Sequence, residues 1–125
     1  PLHNLRALRW LSISTNQVQE VQALSALENL TQLDLSTNGI TDLSPLTGLR
    51  SLTSLNTGAN FISDVCPLQN LSALQTIDLR DNNVLAIDCL FTLPRIDTIY
   101  AQGNQIRNLN FDVVQTRNTD QGHDK

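Results

Sequence analysis

Apolar residues recur along this chain on a fixed beat. Leu8, Leu11 and Ile13 are followed by Leu30, Leu33 and Leu35, then by Leu52, Leu55 and Thr57. Leu74, Ile77 and Leu79 make a fourth set, and Ile96, Ile99 and Ala101 a fifth. Each set runs into an asparagine, Asn16, Asn38, Asn60, Asn82 and Asn104, with a step of 22 residues every time. An apolar residue follows two positions later: Val18, Ile40, Ile62, Val84 and Ile106. Inside each set the last two apolar positions flank one polar residue, the alternation of a strand with one buried face. One such strand cannot bury its own leucines. Five of them in register can, by stacking in parallel about 4.8 Å apart.

The shared pattern, L-x-x-L-x-L-x-x-N-x-I, resembles the leucine-rich repeat family. The second halves of the repeats, "ITDLSPLTGL" (40–49) and "ISDVCPLQNL" (62–71), are similar to the short form found in bacterial internalins. A related short form occurs in a leucine-rich repeat regulator of protein phosphatase 1. The resemblance implies an α/β repeat solenoid. Its form is a right-handed arc with a short-stranded parallel sheet on the concave face and 3₁₀ or short helical turns on the convex face.

The asparagines have a physical task in such a stack. The chain turns inward after each strand and leaves backbone donors and acceptors in the core. A side-chain amide both donates and accepts, so it bridges neighbouring turns. The column Asn16, Asn38, Asn60, Asn82 and Asn104 is therefore expected to be a structural ladder. In "SPLTGL" Ser44 is expected to cap a short helix with Pro45 at its first position. Asp42 and Asp64 are expected to tie the same turn by Asx hydrogen bonds. Thr57, beside Gly58 and Ala59, replaces a buried leucine, so looseness or repacking is expected there.

Aligned on the period, the opening "PLHNL" matches "PLTGL" at 45–49. Residues 1–7 are then expected to be the tail of a preceding repeat or an N-terminal cap. Five repeats are expected over 8–110: 8–29, 30–51, 52–73, 74–95 and a partial 96–110. Residues 111–125 are read as a closing segment and a polar, disordered tail.

Composition narrows the function. The net charge is −4, and a single lysine, Lys125, stands in 125 residues. That balance argues against nucleic acid, which needs a basic footprint. No apolar run approaches the roughly 18 residues of a membrane span, so no direct membrane insertion is expected. His3 and His123 lie at opposite ends, too far apart in a solenoid for a shared dyad or metal pair. No glycine-rich phosphate loop is present. Catalytic residues, metals and cofactors are therefore expected to be absent. Asp34, Asp78 and Asp81 read best as an acidic patch on a solvated face.

The polar positions flanking the strand leucines form columns on the concave face. The first is Trp10, Gln32, Ser54, Thr76 and Thr98; the second is Ser12, Asp34, Asn56, Asp78 and Tyr100; the third is Ser14, Ser36, Gly58, Arg80 and Gln102. Trp10 and Tyr100 are the only Trp and the only Tyr. Trp, Tyr and Arg dominate interface hot spots. Trp10, Gln32, Asp34, Asn56, Asp78, Arg80 and Tyr100 are thus the candidate partner-binding residues, with the two aspartates selecting a basic or polar partner. The competing reading is packing, with Trp10 covering the first turn and Tyr100 filling space beside Ala101. Phe61 and Phe91 stand at phases otherwise polar or glycine and are expected to fold back over neighbouring turns.

Cys66 and Cys89 are too few for a disulfide scaffold or a zinc site. Their spacing of one repeat plus one residue places them on adjacent turns of the back, within reach of a disulfide. A bond fits an exported protein and free thiols a cytosolic one. The favoured function is a non-enzymatic protein-recognition module of a larger bacterial surface or secreted protein. Two alternatives stay open: an intracellular scaffold or regulatory subunit for an enzyme such as a phosphatase, and a spacer that self-associates through its open ends. The partner is another protein, which the chain does not identify.

Overall fold

The computed structural model describes residues 6–107. Five three-residue strands form one sheet: β1 (Trp10–Ser12), β2 (Gln32–Asp34), β3 (Ser54–Asn56), β4 (Thr76–Asp78) and β5 (Thr98–Tyr100). They lie in sequence order and every pair is parallel. The register advances by one repeat per strand, so Leu11, Leu33, Leu55, Ile77 and Ile99 stand side by side. The sheet is open and forms the concave side of a leucine-rich repeat arc.

The convex side is made of 3₁₀ turns at Gln22–Ala26, Ser44–Leu46, Cys66–Leu68 and Asp88–Thr92. Ser44 does not cap its turn. Leu43 precedes it without a side-chain cap bond, and Ser44 is the first residue inside. The capping falls to the aspartates: Asp42 Oδ1 accepts from the Ser44 N–H at 2.9 Å, and Asp64 Oδ1 accepts from the Cys66 N–H at 2.9 Å. An Asx side chain two residues upstream reaches the first orphan donor, which leaves Ser44 no such task.

Between sheet and turns runs a single apolar column. Leu30, Leu35, Ile40, Leu46, Leu49, Leu52, Ile62, Leu68, Leu71, Leu74, Ile77, Leu79, Val84, Ile87 and Leu90 are fully buried. The first turn is looser: Leu8, Leu11, Ile13 and Val18 are only partly buried. Thr57 is fully buried too, and the looseness expected there is absent. Its hydroxyl donates to the Asp78 carbonyl at 3.1 Å, so the polar atom is satisfied where it sits.

The asparagines bridge consecutive turns. Asn60 donates to the carbonyls of Leu35, one repeat back, and of Thr57 and Gly58 in its own turn, at 3.0, 3.0 and 3.2 Å. Its Oδ1 accepts from the Ile40 N–H at 3.0 Å. Asn38, Asn82 and Asn104 repeat the arrangement, accepting from Val18, Ile62 and Val84. Asn16 is exposed, and among the described residues its side chain bonds only within its own turn, to the Ile13 and Ser14 carbonyls.

One device has no signature in residue type. The residue before each asparagine is left-handed: Thr15, Thr37, Ala59 and Asp81 at φ 57–60°, and Gly103 at 81°. That kink swings the chain inward and aims the amide at the core. Only the fifth copy uses glycine, although the region penalises side chains.

His3 and His123 lie outside the described residues, as do residues 1–5 of the expected N-terminal tail and all of 111–125.

Candidate functional site

The three polar columns lie where the strand register puts them. In the first, Trp10 on edge strand β1 is 61% exposed and pairs in register with Gln32, also exposed. Ser54, Thr76 and Thr98 continue the row, half-buried. Most of the Trp10 ring surface is therefore open to solvent.

The second column points its side chains back at the chain. Asp34 Oδ1 accepts from the Ser36 N–H at 3.0 Å and from its hydroxyl at 2.7 Å. Asn56 Oδ1 accepts from the Gly58 N–H at 2.9 Å, and Asp78 Oδ1 from the Arg80 N–H at 3.0 Å. Three Asx turns in succession therefore end strands β2, β3 and β4 and fix the start of the third column.

Asp78 does more. Its carboxylate takes the Arg80 Nε and Nη2 together, with Nη2 to Oδ2 at 2.6 Å. The Arg80 guanidinium carbon sits 5.0 Å from the Tyr100 ring centroid. Asp78 is buried, while the Arg80 side chain is 50% exposed. Asp34, Asp78 and Asp81 thus do not form a solvated acidic patch, because one member is inside and neutralised by Arg80. Hydrogen bonds donated to the Asp78 carboxylate push the Arg80 guanidinium further above its ordinary range, so it stays charged. The forked grip on one edge and the ring on one face immobilise a side chain that otherwise loses much entropy on binding.

Gly58 leaves a notch in the third column, between Ser36 and Arg80. Its floor and walls are Asn56, Thr37, Ala59 and Asp81. The two phenylalanines part company. Phe91 is half-buried against the core, whereas Phe61 is 58% exposed and does not fold back. Phe61 stands between buried Asn60 and buried Ile62, so its side chain alternates outward.

On the convex side Cys66 and Cys89 come together, with Cα atoms 5.2 Å apart and the sulfurs bonded. Among the described residues, no group of three or more His, Cys, Asp or Glu side chains is placed to hold a metal ion. No helix there is long and apolar enough to cross a membrane.

This geometry defines a leucine-rich repeat fold, and the chain is similar to proteins of that family. A family model for leucine-rich repeats in two copies matches residues 6–48. Two of the solved structures that the chain resembles are internalins. Internalin C2 of Listeria monocytogenes is 36% identical, with a TM-score of 0.84 over 87% of this chain and 48% of its own. Internalin F of the same organism is 28% identical, with a TM-score of 0.74 over 93% of this chain and 41% of its own. A leucine-rich repeat protein of Leptospira interrogans shares the fold at 22% identity, with a TM-score of 0.81 over 94% of this chain and 31% of its own. The chain thus spans less than half the length of each. No curated protein matches it significantly.

Proposed function

We propose that the chain is a non-enzymatic recognition module that binds another protein across its concave face, as part of a larger bacterial surface or secreted protein. The observation that carries this is the seating of Arg80 between the Tyr100 ring and the Asp78 carboxylate. A half-exposed arginine already fixed in place, on the same face as an exposed tryptophan three strands away, is the arrangement of an interface anchor. Leucine-rich repeats of internalin-like proteins generally mediate protein–protein contacts, which supports the same reading. Trp10, Gln32, Arg80 and Tyr100 make direct contact. Asp34, Asn56 and Asp78 act mainly by shaping the Asx turns that position their neighbours.

Site-specific photo-crosslinking tests it. A photoreactive residue at Gln32 or Thr98, on the concave face, is expected to capture a partner from the surface or secreted fraction of the partner's cells. The same residue at Thr47 or Gln69, on the convex face, is expected to capture none. Capture confined to the convex positions would reject the proposal.

A further inference from the structure

The two cysteines are the one pair of residues joined outside the repeat's own logic. Cys66 opens the turn Cys66–Leu68, at the phase that Ser44 holds one repeat earlier. Cys89 is the second residue of the turn Asp88–Thr92, at the phase of Pro45 and Pro67. Consecutive back turns stack at about one strand spacing, near 4.8 Å, so residues on matching or adjacent phases fall within disulfide range. The observed Cα separation of 5.2 Å meets that requirement with the backbone of both turns intact. Each cysteine is also held by its neighbours. The Cys66 N–H donates to Asp64 Oδ1 at 2.9 Å, and the Cys89 carbonyl accepts from the Thr92 hydroxyl at 3.2 Å.

We propose that Cys66 and Cys89 form a structural disulfide in the working protein, a staple between the third and fourth turns, and that the chain accordingly works in oxidising surroundings rather than in a reducing cytosol. The staple lies behind β3 and β4. In the third turn the inward leucine is replaced by Thr57, and Gly58 and Ala59 flank it, so this turn contributes less apolar volume than its neighbours. A covalent tie behind the same turn holds it to the fourth independently of side-chain packing. Its formation is thiol–disulfide exchange. One cysteine thiolate attacks a disulfide oxidant of the exporting compartment, forming a mixed disulfide. The second thiolate displaces the oxidant, which leaves as a dithiol carrying the two electrons. The inference is independent of which face binds a partner. It bears on the compartment, since thiols in the cytosol are kept reduced.

The test is thiol counting on the full chain, produced once in the bacterial cytosol and once with export to the periplasm, with alkylation before and after unfolding. The exported chain is expected to be about 2 Da lighter than its reduced form and to take up no alkyl group even when unfolded. Mild reduction should then expose two thiols and lower the melting temperature by on the order of 10 °C, the loss expected when a loop of this length is uncrosslinked. The Cys66→Ser/Cys89→Ser double variant should melt with the reduced protein and no longer respond to reductant. Two alkylated thiols on the exported chain, or an unchanged melting temperature after reduction, would overturn the proposal. If the double variant does not fold, the thiol count on the natural sequence decides.

Discussion

Arg80 and Tyr100 come from successive repeats, yet the Arg80 guanidinium carbon lies 5.0 Å from the Tyr100 ring centroid. The same guanidinium is gripped edge-on by Asp78 at 2.6 Å. Tyr100→Ala removes the face that supports the guanidinium. Arg80→Lys keeps the charge but cannot fork onto the carboxylate or stack as a plane. Each is expected to weaken partner binding by about 10- to 30-fold, or about 1.4–2 kcal/mol, the range of an anchoring residue. Titration calorimetry with the captured partner reads the loss, and circular dichroism verifies that the fold is intact.

The ladder makes a graded expectation about stability. Asn60 is 4% exposed and makes three donor contacts and one acceptor contact, two of them across turns. Asn60→Ala leaves the Ile40 N–H without its acceptor in the core and takes one of two donors from the Leu35, Thr57 and Gly58 carbonyls, at a cost of about 2–3 kcal/mol. The Asn16 side chain is exposed and, among the described residues, bridges no turn, so Asn16→Ala is expected to cost under about 1 kcal/mol. Urea unfolding of the two variants measures the difference.

Left-handed backbone before each asparagine gives a pair of opposite effects. Ala59 at φ 57° carries a side chain where glycine is at ease, so Ala59→Gly is expected to stabilise by about 1 kcal/mol. At Gly103, with φ +81°, an added Cβ would meet Asp81 Oδ1 and stand 2.9 Å from the Asp81 backbone nitrogen. Gly103→Ala is expected to destabilise by at least about 1 kcal/mol. Shifts of the urea midpoint in opposite directions are the result to look for.

Asp42 should report its turn in a titration. Hydrogen bonds from the Ser44 backbone and then its side chain hold the carboxyl below its ordinary 3.8. A carboxyl depressed in the folded state contributes stability that is present above 3.8 and is lost as pH falls through the lower folded value. The Asp42 side-chain carbon signal in a nuclear magnetic resonance titration is therefore expected to have its midpoint below 3.8. Ser44→Pro, which removes the N–H donor, should move that midpoint up.

The fold could be read from the sequence because its determinants repeat. The asparagine step and the L-x-L alternation fix strand, register and core before any long-range contact is known. What repeats in conformation without repeating in residue type could not be read that way. The left-handed position is filled by Thr, Thr, Ala, Asp and Gly, so nothing in composition marks it. The candidate face was legible as columns but not as contacts. That Asp78 turns onto Arg80 depends on a side chain two residues ahead on the same turn, a choice the period does not encode. Phe61 and Phe91 interrupt different phases of the repeat, and only packing decides that one is open and the other tucked against the core.

The most direct measurement is the affinity of the captured partner for two matched variants. One carries Trp10→Ala, Arg80→Ala and Tyr100→Ala on the concave face; the other carries Thr47→Ala, Gln69→Ala and Thr92→Ala on the convex face. Concave-face recognition requires a loss of at least about 100-fold for the first and little change for the second, since several anchors are removed together. Equal affinities, or a loss confined to the convex variant, would contradict it.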